Sequence, residues 1–232
     1  MLHNIKNLLG RQLGALDDHV GHIIDCYFDE QSWTVRYLVV EADWWCPPCH
    51  MLVLPHAVRS IPPQGHLLPV NLTRQQIEDC PTLELNERVT RQHEIDYYRY
   101  YNWPFYWQGG SLWGPTDFPG AQPPASPQCR PLDVKKNTIP AGQLRSLKAL
   151  FGFPVQTGEE FIGSVKDFLM DDHAWQIRHL FMSANHQGWE HRKLLIATRK
   201  VLSIDWPGER IRLTPPAADM ERVLVRHQLA TV

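Results

Sequence analysis

The sequence contains two copies of one pattern, and this repeat restricts the possible folds more than any other feature. Residues 20–40 read VGHIIDCYFDEQSWTVRYLVV, and residues 162–182 read IGSVKDFLMDDHAWQIRHLFM. Self-similarity at a constant offset predicts two copies of one small structural module. At that single offset the copies share the identities Gly21 and Gly163, Asp25 and Asp167, Asp29 and Asp171, Trp33 and Trp175, Arg36 and Arg178, and Leu38 and Leu180.

Each copy is predicted to form a β-hairpin. Two alternating runs rich in β-branched and aromatic residues flank a polar break, at residues 29–32 and again at 171–174. If Phe28 faces Trp33 across the first break, Cys26 lies opposite Val35 in the antiparallel ladder. A glycine just inside the first strand of each copy predicts a bulge or a close approach of two backbone segments.

The same register makes the repeated acid and base cross-strand partners. It places Asp25 opposite Arg36 and Asp167 opposite Arg178, and we expect both pairs to be structural, because slipping by one residue would separate the charges. The functional alternative is an acid–base carboxylate. A neighbouring arginine works against it by keeping the aspartate ionised.

Composition and charge bound the class of protein. The chain has 232 residues, is 43% hydrophobic and 21% charged, and has a net charge of −2, which is typical of globular protein and lacks the positive excess of a dedicated nucleic-acid binder. No apolar signal segment opens it, and no run approaches the roughly 18 apolar residues of a membrane span. We therefore expect a cytoplasmic protein with no membrane span and with reduced cysteines.

The segment between the copies differs from both of them. Residues 73–76 match a capping box and predict a short helix that ends by Pro81, and a second helix is predicted at 90–101 with Thr90 as its cap. Gly, Pro, Gln and Ser then dominate residues 109–142, which is typical of a linker. A helix is also expected from about Ala217, after the second copy.

Aromatic residues in and near the middle segment are candidates for binding a protein partner. A large apolar aromatic surface favours burial, either over one module of this chain or against another chain, and Arg99 is the only basic residue in 97–107. Stacking on nucleic-acid bases is the alternative hypothesis. The candidates are Trp44, Trp45, Tyr97, Tyr98, Tyr101, Trp103, Tyr106 and Trp107.

Both copies resemble PRC-barrel domains, the small β-barrels of the photosynthetic reaction centre H subunit and of the ribosome maturation factor RimM. The resemblance depends on the spacing of the shared Gly, Asp, Trp, Arg and Leu residues and covers both modules but not the segment between them. It implies a mainly β chain with two small barrels in tandem, each followed by a short helix. The expected domains are residues 5–82 and 144–226, joined by an aromatic arm and linker at 83–143.

The family implies little about chemistry, and no catalytic residue can be carried over from it. We expect a non-enzymatic protein-interaction, regulatory or dimerisation module without a cofactor, whose modules pack on each other or form a homodimer. The first alternative, by analogy with the maturation factor, is an RNA- or ribosome-associated protein.

One local motif indicates a further alternative. Cys46, Cys49 and His50 form C-x-x-C-H, the attachment pattern of c-type haem, which could also serve as a thiol redox or zinc site. The pattern lies in a loop without a counterpart in the second copy, and haem attachment of this type requires export. We therefore predict no bound metal and keep a haem or redox protein as the second alternative.

Overall fold

The computed structural model describes residues 1–42, 50–81, 89–120, 144–184 and 193–214. It is mainly β, with 47% of the described residues in strands and 16% of them helical, which confirms the predicted class, and its strands form a large mixed sheet. No helix in the described ranges is long and apolar enough to cross a bilayer. The linker from residue 121 onward and the helix expected from Ala217 lie outside the described residues.

Thirteen strands and two α-helices are present in the described ranges. The strands are β1 (Leu2–Asn4), β2 (Gln12–Gly14), β3 (His19–Asp29), β4 (Thr34–Ala42), β5 (His50–Val53), β6 (Leu67–Pro69), β7 (Leu144–Ser146), β8 (Pro154–Thr157), β9 (Glu160–Asp171), β10 (Gln176–Ala184), β11 (Lys193–Ala197), β12 (Val201–Asp205) and β13 (Arg210–Leu213). The α-helices are α1 (Arg74–Glu78) and α2 (Arg91–Tyr100). Single 3-10 turns lie at Ile5–Asn7, Pro55–Ala57, Lys148–Leu150 and Thr198–Lys200.

The chain divides into two compact units that interleave along the sequence. Unit 1 consists of Met1, Asn7–Leu147 and Asp171–Gln176. Unit 2 consists of Leu2–Lys6, Lys148–Met170 and Ile177–Val232. Unit 2 therefore contains residues from both ends of the chain, and unit 1 includes residues 171–176 of the second copy.

The same four strand pairings occur in both units. In unit 1, β3 pairs antiparallel with β2 and β4, β2 pairs parallel with β6, and β5 lies on β4. In unit 2, β9 pairs with β8 and β10, β8 pairs parallel with β13, and β11 lies on β10. The pairings among the described strands do not close the sheet, so the predicted barrels are not seen as such.

The predicted register of the first hairpin is wrong. Phe28 lies opposite Val35, and Asp25 lies opposite Val39. Trp33, expected to pair in the ladder, has a positive φ of 54° and belongs to the turn, and the register shifts twice along β3. A left-handed non-glycine residue is uncommon, and alternation of residue types does not reveal it. The equivalent Trp175 also has φ of 54°.

The repeated Asp29 and Asp171 have a shared role in these turns. Asp29 Oδ1 accepts the amide of Gln31 at 3.0 Å, and Asp171 Oδ1 accepts the amide of His173 at 3.1 Å. Such bonds two residues along the chain are typical of aspartate in a turn, and they explain why both copies carry the residue.

The repeated glycines confirm the predicted close approach. Gly21 has φ of 142°, and a Cβ atom there would collide with the carbonyl oxygen of Glu41. Gly163 has φ of 157° and would collide with the carbonyl of Ser183. A side chain at either position would push apart two paired strands.

Both predicted helix starts are confirmed. Thr73 accepts the amide of Gln76 and the Gln76 side chain returns to the Thr73 amide, which is a capping box at the start of α1. Thr90 and His93 make the same reciprocal pair at the start of α2. Helix α2 therefore begins at the residue expected from its sequence and carries the aromatic segment that follows.

Candidate functional site: the aromatic arm

The aromatic arm, defined here as residues 90–118, has an inner layer that is buried within unit 1. Tyr97, Tyr98, Tyr106 and Trp113 are at most 7% exposed. Tyr97 packs edge-on against Tyr37 of β4, with 6.1 Å between ring centroids. Tyr97, Tyr98 and Tyr106 were candidates for contacting either a module of this chain or another chain. In unit 1 these rings pack between the arm and its own sheet.

The inner layer covers a buried arginine. The Arg36 guanidinium lies 3.9 Å from the ring centroid of Tyr106 and 4.8 Å from that of Trp113. Its Nη1 donates to the carbonyl of Leu112 at 2.7 Å, and its Nη2 lies 3.4 Å from Asp29 Oδ2. A planar cation between aromatic faces is an arrangement that lysine cannot reproduce.

The acid partner of Arg36 is therefore Asp29 and not the predicted Asp25. Asp25 Oδ1 accepts the amide of Cys26 at 2.7 Å, and its Oδ2 accepts the hydroxyl of Ser146 at 2.5 Å. The shifted register separates it from Arg36, because the residue opposite Asp25 is Val39.

Asp167 and Arg178, the predicted partners in the second copy, have different surroundings. Asp167 is 5% exposed and accepts the backbone amides of Phe168 at 2.7 Å and Lys6 at 3.0 Å, whereas Arg178 is exposed on β10. Burial raises the pKa of Asp167, and the two amides oppose that shift. Both repeated aspartates thus cap the amide of the next residue, and a residue far along the chain completes each site.

A buried carboxylate joins the arm to the sheet. Glu94 of α2 is 1% exposed and accepts the hydroxyls of Tyr106 at 2.8 Å and Tyr37 at 3.3 Å. Arg91, one helical turn earlier, donates to its other oxygen at 2.7 Å. Burial raises the pKa of Glu94 above its usual value, although Arg91 and the two hydroxyls favour the ionised form. These contacts fix the position of α2 on β4.

His56 lies in the same region and is held neutral. Its ring stacks on Trp103 at 5.3 Å and meets Trp113 edge-on at 5.1 Å. Burial, with a smaller effect from the charge of Arg36, lowers its pKa to about 4. Within the described residues, His56 Nδ1, Tyr98 Oη and Arg36 Nε are buried without a hydrogen-bond partner.

The outer layer of the arm is half-buried and consists of stacked rings. Tyr101 and Trp103 stack at 4.7 Å, and Phe105 and Trp107 stack at 4.8 Å. All four have intermediate exposure. The Arg91 guanidinium lies 4.1 Å from the Trp107 ring centroid. Of the predicted partner-binding residues, Tyr101, Trp103 and Trp107 thus keep accessible surface.

The C-x-x-C-H motif falls largely outside the described residues. Its two cysteines, Cys46 and Cys49, lie outside the described residues, as do the candidate partner-binding residues Trp44 and Trp45. His50 is described, and Glu41 lies between it and His22 on neighbouring strands. Glu41 Oε1 is 3.8 Å from His50 Nε2, and Glu41 Oε2 is 3.2 Å from His22 Nε2. Among the described residues, no group of three His, Cys, Asp or Glu side chains is arranged to hold a metal ion.

Sequence reasoning missed the polar residues that organise the arm. Glu94 was not singled out, because it lies between the two copies and belongs to no recognisable motif. Asp29 carried a usable signal, since Asp171 repeats it and aspartate at the start of a four-residue break is typical of a turn.

No family model matches the chain, and no curated protein matches it.

Proposed function

We propose that the protein is a non-enzymatic protein-interaction module of the PRC-barrel type, and that the outer layer of the aromatic arm is its binding surface. The repeated Gly, Asp, Trp, Arg and Leu pattern supports the family, and the matching order of strand pairing in the two units agrees with it. We also propose that each module forms the closed barrel that is typical of this family.

The two-layer arrangement of the arm carries the proposal. Its inner rings and the Glu94 contacts hold the arm against the sheet, so the outer rings are fixed before any partner arrives. Tyrosine and tryptophan are enriched among the residues that dominate binding energy at protein interfaces. Rings that are already stacked lose little conformational freedom on binding.

The charge around the outer layer favours a protein over a nucleic acid. Arg91 already pairs with Glu94, and Asp96 lies on the same helix as Arg99. A stacking surface for single strands needs a positive groove beside the rings to hold the phosphates. Because the charge of Arg91 beside the Trp107 ring is paired with Glu94, the outer rings are better suited to a protein.

The test compares the full-length protein with a Trp103→Ala/Trp107→Ala double variant. Leu202→Ala is the matched control, because Leu202 is a 65% exposed apolar residue of unit 2 outside the arm. Each protein is tagged and used to capture partners from nuclease-treated native lysate. Light scattering of each purified protein then measures its self-association. Thermal melting checks that each variant is folded.

We expect the double variant to capture at least about 10-fold less of a partner than the wild type, or to form at least about 10-fold less dimer. The Leu202→Ala control should behave as the wild type does. A double variant that keeps all of its associations would contradict the proposal. Binding of RNA that weakens steeply with salt would instead support the RNA- or ribosome-associated alternative. A haem absorption band in the purified protein would support the haem alternative.

A further inference from the structure

The first strand of each sequence copy pairs with the hairpin of the other copy. Strand β7, which precedes the second copy, pairs antiparallel with β3, with Tyr27 opposite Ser146 and Asp29 opposite Leu144. Strand β1, which precedes the first copy, pairs with β9. The offset between 2–4 and 144–146 is the one that relates the two hairpins, so the two leading strands hold the same position in their copies.

Buried side chains anchor both strands in the same way. Ile5 follows β1 and belongs to unit 2, and Leu147 follows β7 and belongs to unit 1. Both are 0% exposed, and the offset of the repeat relates them as well. The chain changes unit immediately afterwards in each case, because Asn7 belongs to unit 1 and Lys148 to unit 2.

The repeated aspartates complete both contacts. In unit 1, Asp25 accepts the Ser146 hydroxyl, and the Leu147 amide donates to the carbonyl of Cys26 at 2.9 Å. In unit 2, Asp167 accepts the Lys6 amide. Each hairpin thus presents a strand edge and a carboxylate beside it, and both are used by a segment that is distant in sequence.

We propose that this edge is a strand-acceptor site whose occupant is the leading strand of a second copy of the same module. An exposed strand edge binds an extended segment through main-chain hydrogen bonds, and buried side chains at fixed positions select which segment binds. Exchange of an identical element between two copies is a known route to dimers. In this chain the two modules are covalently linked, and the leading strand of each module fills the acceptor site of the other.

The test asks whether the site accepts its strand in trans. In the full-length Ile5→Asp variant, a charge replaces a fully buried side chain and should release residues 2–6 from β9. Hydrogen exchange of residues 160–171 is then measured with increasing amounts of a peptide of residues 1–8, MLHNIKNL. The control peptide is MLHNDKNL, which differs at the anchor alone, and the wild-type chain is measured in parallel.

We expect Ile5→Asp to increase exchange at 160–171 and to leave 20–28 unchanged. The wild-type peptide should restore protection in a saturable manner, and the control peptide should not. The wild-type chain should not respond, because its site is filled. The inference is overturned if exchange at 160–171 does not change, if neither peptide restores it, or if both peptides do. If Ile5→Asp does not fold, the Ile5→Ser variant is measured by the same criteria.

Discussion

Arg36 and Arg178 hold the same place in the two copies of the repeat, and their surroundings are opposite. Arg36 is 3% exposed beneath the aromatic arm, whereas Arg178 is exposed on β10. A residue shared by both copies therefore does not have one role. The environment of each arginine depends on whether another segment covers that face of its sheet.

This difference supplies a matched pair of substitutions. We expect Arg36→Lys to lower the free energy of unfolding by about 1–3 kcal/mol, because lysine loses the planar contact with Tyr106 and Trp113 and leaves buried groups unsatisfied. Arg178→Lys should change it by no more than about 0.5 kcal/mol. Urea denaturation of both variants measures the difference, and equal effects would contradict the roles assigned to the two arginines.

His56 predicts a dependence of stability on pH. Its pKa is lowered from 6.5 to about 4 in the folded protein, so the unfolded state binds more protons between these values. Stability should therefore fall as pH decreases from 6.5 to 4, by up to roughly 3 kcal/mol from this group. The pKa of Glu94 is raised in the folded protein. Above its ordinary pKa this group therefore has the opposite effect, because it increases stability as pH decreases.

The contribution of His56 can be isolated by comparison with a variant that cannot titrate there. His56→Gln should show a smaller loss of stability between pH 6.5 and 4.5 than the wild type in denaturation experiments. Parallel curves for the two proteins would show that His56 titrates normally in the folded state.

At the scale of elements, the arm depends on where α2 begins. Helix α2 has ten residues and places Glu94, Tyr97 and Tyr98 on the face that meets the sheet. The spacing of three and four residues puts these side chains on one side of a helix. An early or late start would change which residues meet the sheet, so the cap at Thr90 affects the whole inner layer.

We therefore expect Thr90→Ala to destabilise the protein by about 0.5–2 kcal/mol and to increase hydrogen exchange across 91–107. Thr73→Ala is the control, since it removes the same type of capping box from α1. Its effect should be confined to residues 74–80. If Thr73→Ala loosens the arm as much as Thr90→Ala does, the cap at Thr90 does not control the arm.

At the scale of the whole molecule, two buried leucines one helical turn apart in sequence belong to different units. Leu147 is in unit 1 and Leu150 is in unit 2, and both are 0% exposed. Each therefore stabilises a different core, although both lie at the start of the second copy. Sequence proximity does not indicate which core a residue supports.

Leu147→Ala and Leu150→Ala should each cost about 2–5 kcal/mol, as is usual for a large buried residue. We expect Leu147→Ala to increase hydrogen exchange in β3 and β4, and Leu150→Ala to increase it in β8 and β9. Mass spectrometry of the exchanged peptides distinguishes the two patterns. The same pattern from both variants would mean that the chain changes unit at another position.

The repeat, the mainly β class, the close approach at both glycines and the starts of both helices could be predicted from the sequence alone. These features depend on residues near one another in the chain, on alternation, caps and backbone conformations that few residue types allow. The tertiary structure alone decided the partner of Arg36, the burial of Tyr97, Tyr98 and Tyr106, and the unit to which each leading strand belongs. Each of these depends on which distant segment covers a given strand edge or sheet face, and residue patterns within a single strand do not specify that segment.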